Sequence, residues 1–180
     1  MGEDGAANRI NMARKPIQAA GGIVVRKGAR PLIAVVQRAK DDHWVLPRGK
    51  LKVKERPKAA ARREVFEETG HRVDVREFLG AMVYRAQGRP KLVQFWHMRA
   101  AARPSRDLMT DIARVVWLPF ADAVKKLSYP LEKLFLRNVG RPLVRRKHKD
   151  AKKNKKAGKK ASRKPKKSAK RGKSAKRGKR

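Results

Sequence analysis

The chain has no cysteine, so a disulfide framework, a thiol nucleophile and a cysteine-built zinc site are all closed to it, which fits a reducing compartment but does not decide localisation. Histidine is nearly as scarce. His43, His71, His97 and His148 show no zinc-binding spacing, and no helical His-Glu-x-x-His occurs. No apolar run approaches the roughly 18 residues of a membrane span, and Met1 to Pro16 lack the apolar core of a signal peptide, so a soluble cytoplasmic protein is expected. Gly21 and Gly22 are not followed by the pattern of a P-loop or a dinucleotide fingerprint, so no cofactor nucleotide is expected. Acids are few as well: 15 Asp and Glu against 51 Lys and Arg leave a net charge of +36, which makes anions the natural partners.

That charge is uneven, and the unevenness marks the boundaries. Residues 145–180 hold 21 Lys or Arg and one acid, Asp150, so the segment carries +20 and leaves +16 for the first 144 residues. Apart from one proline it has no side chain larger and more apolar than alanine, so nothing offsets an ordering cost of roughly 1–2 kcal/mol per residue, and a disordered tail is expected. Ser168 to Lys173 and Ser174 to Lys179 both read SAKRGK, a low-complexity repeat. Such a tail can bind nucleic acid or polyphosphate without sequence preference, steer anionic substrates, or simply be solvated. Residues 1–16 are read as a flexible segment and 17–144 as one folded domain, which suits a chain of 180 residues.

Within the domain, Gln18 to Arg26 and Pro31 to Gln37 are β-branched apolar runs separated by a Lys27-Gly28 turn signal, and read as strands buried on both faces. Trp44 to Leu46 is a third extended piece. Pro57 suits a first helical position and Gly70 the residue just past a helix end, predicting a helix over Pro57 to Thr69 with Ala61 and Val65 toward the core. Val73 to Tyr84 and Lys91 to Arg99 flank a Gly88-Arg89-Pro90 turn and read as a hairpin, with a last strand at Val115 to Leu118. Pro119 to Leu127 and Pro130 to Asn138 are expected to be helices with proline at their first positions. The sum is an α/β/α sandwich around a mixed sheet.

Of only seven glutamates, three fall within five residues, at Glu64, Glu67 and Glu68, and the spacing i, i+3, i+4 puts them on one helical face. A solvated acidic face is one reading, although like charges so placed cost a few tenths of a kcal/mol each. The other is a cation site, because a hard divalent ion takes several oxygen ligands and keeps waters and substrate phosphates among them.

The flanking residues identify the pattern. Gly49, five residues, Glu55, seven residues, then Arg63-Glu64-Val65-Phe66-Glu67-Glu68-Thr69-Gly70 matches the Nudix box at every fixed position, with His71 where an aliphatic residue usually ends it. Trp44 to Lys50, Phe95-Trp96, Trp117-Leu118-Pro119 and Ala121-Asp122-Ala123 extend the likeness over most of Gln18 to Leu136. The chain resembles the MutT-like branch of Nudix hydrolases, which acts on oxidised guanine nucleotides and diadenosine polyphosphates, and is similar also to diphosphoinositol polyphosphate hydrolases. That group commonly has a glutamate three residues before the tryptophan; here Arg114 stands there, with Asp111 nearby.

The resemblance and the charge logic together imply the roles. Glu64 and Glu68 are the main ligands of Mg2+, with Mn2+ as a substitute. Glu67 is a ligand or the base for the attacking water, and the backbone carbonyl of Arg48 or Gly49 completes the site. Arg63 orients the carboxylates and Glu55 holds the loop. Arg38, Lys40, Arg48 and Lys50 are candidates to hold the substrate, and Tyr84 to stack on a base; ordinary surface charge and core packing are the alternatives. The implied reaction is magnesium-activated attack of water on a phosphoanhydride of a nucleoside triphosphate, oxidised dGTP included, or of a diadenosine polyphosphate. The rival readings are a diphosphoinositol polyphosphate or RNA 5′-end pyrophosphohydrolase, and a catalytically silent nucleic-acid-binding relative.

Overall fold

A computed structural model describes residues 15–28 and 30–144. The basic tail, and all of the N-terminal segment but Lys15 and Pro16, lie outside the described residues. The elements in chain order are β1 (Ile17–Arg26), β2 (Leu32–Arg38), β3 (Trp44–Val45), β4 (Arg48–Lys50), α1 (Pro57–Thr69), β5 (Val73–Ala86), β6 (Arg89–Ala100), β7 (Ile112–Leu118), α2 (Phe120–Lys126) and α3 (Pro130–Val144).

One mixed sheet of seven strands runs β3-β2-β1-β6-β5, with β4 also paired to β1 and β7 to β2. The central β1 is antiparallel to β2 and β4 and parallel to β6. Its side chains alternate between two cores, as a strand's period of two requires. Ala19, Ile23 and Val25 join Phe95 and Leu136 on the face covered by α2 and α3; Ala20 and Val24 join Trp96, Ala60, Ala61 and Val65 on the face covered by α1. Burying each of the larger apolar side chains contributes roughly 1.5–3 kcal/mol. The expected two-faced strands and α/β/α layering are therefore what the sheet builds.

Helix α1 follows the sequence closely. Arg56 is extended, Pro57 opens the helix, and Gly70 closes it at φ 72°, where its N–H reaches the Phe66 carbonyl at 3.0 Å. A β-carbon at Gly70 would also sit 2.6 Å from the Arg106 carbonyl oxygen. Fully buried Ala60 and Ala61 let the helix lie close on the sheet.

Other elements depart from expectation in detail. The hairpin turn is Gln87-Gly88 rather than Gly88 to Pro90: both residues have positive φ, the geometry a two-residue hairpin loop requires, while Arg89 and Pro90 already pair within β6. Pro119 precedes α2 instead of opening it. Helix α3 runs past Asn138 to Val144 despite Pro142. β7 starts at Ile112, three residues early, and Arg48–Lys50 forms a short strand that apolar patterning does not reveal.

Candidate active site

Helix α1 turns Val65 and Glu68 toward the sheet and leaves Glu64 and Glu67 on its half-buried flank. Arg63 organises that flank. It grips Glu55 with two nitrogens, at 2.8 and 2.7 Å, and its Nη1 donates to Glu64 Oε1 at 2.7 Å and Glu67 Oε2 at 2.9 Å. Its Nη2 also donates to the Lys50 carbonyl at 3.2 Å, tying the helix to β4. Hydrogen bonds from Arg63 and the Lys52 amide hold the Glu55 carboxyl down at about 2, so Glu55 braces the loop from Lys50 to the helix.

Glu68 is 8% exposed, and among the described residues one donor reaches its carboxylate, the Arg48 amide, at 2.8 Å from Oε2. Burial pushes its carboxyl up to about 8 against the pull of Arg48. Burial likewise raises Glu64, with Arg63 opposing. Glu64 lies where a side chain on the facing strand would be: a β-carbon on Gly49 would fall 2.0 Å from its carboxylate carbon. Gly49 is thus a requirement of space.

These three glutamates fit a hard dication. Each commits one oxygen to a protein donor, and among the described residues Glu64 Oε2, Glu67 Oε1 and Glu68 Oε1 accept no hydrogen bond. Glu68 is buried and Glu64 half-buried, and a carboxylate charge so withdrawn from water asks for a cation. Among the described residues no three His, Asp or Glu side chains close into a cage. The glutamates are spread along the helix, with the Arg63 Nη1 bridging Glu64 and Glu67, rather than converged as a ligand triad. An ion that keeps waters and phosphates in its octahedron needs no closed cage.

Arg48 and Lys50 of β4 also border a cavity of about 500 Å³, lined by Arg38, Lys40, Tyr84 and Lys91 among others. Two of its cations are already paired: Arg38 with Asp41, also donating to the Tyr129 hydroxyl at 2.9 Å, and Arg48 with Glu132 at 2.7 Å. Lys91 forms no ion pair among the described residues; its Nζ lies 6.0 Å from the Tyr84 ring centre. Burial, then repulsion from Arg48, Lys50, Arg38 and Lys40, lowers it to about 8. Of the expected substrate residues, the structure gathers Arg38, Lys40, Arg48, Lys50 and Tyr84 around this one cavity, with the Arg48 guanidinium bound to Glu132 at its edge.

Arg114 is exposed on β7 opposite Gln37, so no carboxylate stands at that position. Asp111 adds a small repulsion to Glu68. His71, at the end of the box, is buried with its ring against Trp117 at 4.9 Å, filling the place of an aliphatic side chain. Sequence reasoning missed Lys91, Tyr129 and Glu132, which carry no local motif.

Comparison with known proteins agrees with this geometry. The NUDIX domain pattern matches residues 15–139. An 8-oxo-(d)GTP phosphatase of Mycolicibacterium smegmatis is 37% identical over 114 residues, 62% of this chain and 34% of that protein. A MutT-like protein of Streptomyces ambofaciens is 42% identical over 72 residues, 40% of this chain and 46% of that protein. The chain therefore spans only about a third to a half of the length of these curated relatives. Among solved structures, a C. elegans Ap4A hydrolase binary complex superposes with a TM-score of 0.63 at 26% identity, covering 71% of this chain and 97% of that one. A MutT protein from Methanosarcina mazei shares the fold, with a TM-score of 0.61 at 18% identity over 73% of this chain and 99% of that one. With the pattern matched across most of its length and the same architecture in these structures, the chain belongs to the Nudix family.

Proposed function

We propose that this Nudix protein is a pyrophosphohydrolase that splits a phosphoanhydride of a nucleotide substrate, using a divalent cation on the Glu64, Glu67 and Glu68 face. The observation that carries the reading is the oxygen each glutamate keeps uncommitted, beside a cation-lined cavity large enough for a nucleotide. Glu64 and Glu68 are the strongest candidates to hold the ion, with a backbone carbonyl of Arg48 or Gly49. A bound Mg2+ or Mn2+ neutralises phosphate charge and lowers the pKa of water. Arg63 fixes Glu67 by one oxygen, which leaves the other to serve as ligand or as base for the attacking water. Lys50 and Lys91 receive phosphates, and Tyr84 and Tyr129 offer aromatic surface for a base.

The names of the relatives support oxidised guanine nucleotides and diadenosine polyphosphates as substrates. A second reading, an RNA 5′ end, is favoured by the +20 segment at residues 145–180 and by a groove of about 1020 Å³ beside α1, lined by Arg56, Lys58, Arg62 and Arg72. Phosphate and nucleotide release from 8-oxo-dGTP, ordinary triphosphates, diadenosine polyphosphates, diphosphoinositol polyphosphate and triphosphate-ended RNA, with and without magnesium, tests both. Turnover of one class, abolished by chelator, is expected; turnover of none, with salt-sensitive RNA binding, makes the protein a silent binder.

Lys91 supplies a further test. Exchange to Met should raise KM roughly tenfold, the worth of one charged hydrogen bond, and leave kcat alone. Because an anion favours the charged amine, KM of the unaltered protein should climb as pH rises through about 8. The same depressed pKa means that the charge costs folding stability below about 8, a cost that fades toward 10.5. A flat KM profile from pH 7 to 9 would remove Lys91 from the site.

A further inference from the structure

One carboxylate far from the box touches the loop that leads into it. Glu132, in the first turn of α3, is 2% exposed. Its Oε2 accepts the Leu46 amide at 2.7 Å and its Oε1 pairs with Arg48 Nη2 at 2.7 Å. Arg48 Nη1 turns back to the Leu46 carbonyl at 3.0 Å, closing a ring around Pro47, which has no N–H of its own. The Gly22 amide donates to the Pro47 carbonyl at 3.1 Å, and Gly21 leaves room for Pro47 and Arg48 by lacking a β-carbon. The segment is therefore gripped from α3 on one side and β1 on the other. Its next contacts are with the glutamate helix: the Arg48 amide to Glu68, and Gly49 against Glu64.

We propose that Glu132 is a positioning residue for the cation site, holding Leu46 to Gly49 so that the loop backbone meets Glu68 and Glu64 at the right distance. The role rests on the reading that these glutamates hold a divalent cation. It follows from leverage: one buried carboxylate fixes two residues, and the backbone of the second is, among the described residues, the donor that holds Glu68. Groups standing behind metal ligands commonly govern affinity by 10- to 100-fold, and Glu132 stands in that position at one remove.

The experiment uses the full chain and Mn2+ as probe, with free ion read by electron paramagnetic resonance, alongside kinetics and calorimetric melting. In Glu132→Gln, the single amide oxygen can accept from Leu46 or from Arg48 but not from both, and Mn2+ binding should weaken about tenfold or more, with kcat lower and KM little changed. The paired exchange Arg48→Met with Glu132→Leu removes both buried charges, and such replacements commonly restore stability. Its melting temperature should return toward that of the unaltered protein while Mn2+ binding stays weak, a split that a merely structural ion pair would not give. Unchanged Mn2+ affinity in Glu132→Gln, recovery of affinity together with stability in the double variant, or the lack of cooperative melting in both variants overturns the proposal. Failure of the unaltered chain to bind Mn2+ overturns the cation-site reading itself, and the positioning role with it.

Discussion

A Glu68→Gln protein should lose hydrolysis by about three orders of magnitude while remaining folded, and it should melt no lower than the parent in the absence of metal at neutral pH. Cation stabilisation of phosphoryl charge is worth several kcal/mol, and about 4 kcal/mol corresponds to about a thousandfold in rate. Stability moves the other way because the carboxylate is costly where it sits. Its folded pKa of about 8 lies above the ordinary 4.5, so between those values the folded chain keeps a proton that the unfolded chain has released. Stability of the metal-free protein therefore falls as pH rises across that window. The glutamine variant should lack that slope, and magnesium should restore the parent at the alkaline end. Calorimetric melting at several pH values, with and without magnesium, reads both effects beside the assay. A variant as active as the parent would refute the site.

Gly49→Ala should be the second most damaging small change, with kcat down on the order of a hundredfold, the usual penalty for displacing a catalytic group by about 1 Å. The new methyl group would occupy the place of the Glu64 carboxylate. That carboxylate is the far end of a flexible side chain, so it can swing aside, and folding should suffer less than activity. Gly21→Ala makes the contrast: there the methyl meets the Pro47 carbonyl oxygen at 2.2 Å, a backbone atom that cannot swing aside, and the loss should appear in melting. Equal kcat for Gly49→Ala and the parent would mean that Glu64 does not serve from its present position.

What the sequence made legible is what local pattern encodes. Pro57 and Gly70 bracket α1 because one lacks an unneeded donor and the other tolerates positive φ, and the three glutamates share a face by helical spacing alone. The two-faced burial of β1 shows in its unbroken apolar run. The cavity was legible only as a collection of nearby cations; that Lys91 joins them depends on the parallel pairing of β6 with β1, a contact between distant segments. Arg48 illustrates the remaining difficulty. Its charge marks it for a phosphate, and only the fold reveals that α3 brings Glu132 to it. The hairpin turn was displaced because glycine marks positive φ but does not say which neighbour shares it.

The three residues of β4 also have a thermodynamic consequence. Gly49 faces the carboxylates while Arg48 and Lys50 border the cavity, so opposite charges are held a single strand apart. A cation on the carboxylates and a polyanion on the basic residues each relieve a like-charge repulsion, and phosphates that reach the ion are attracted to it directly. Their affinities are then linked, and linkage is reciprocal: whatever factor the metal adds to substrate binding, the substrate returns to the metal. Either ligand alone should be held more loosely than the pair.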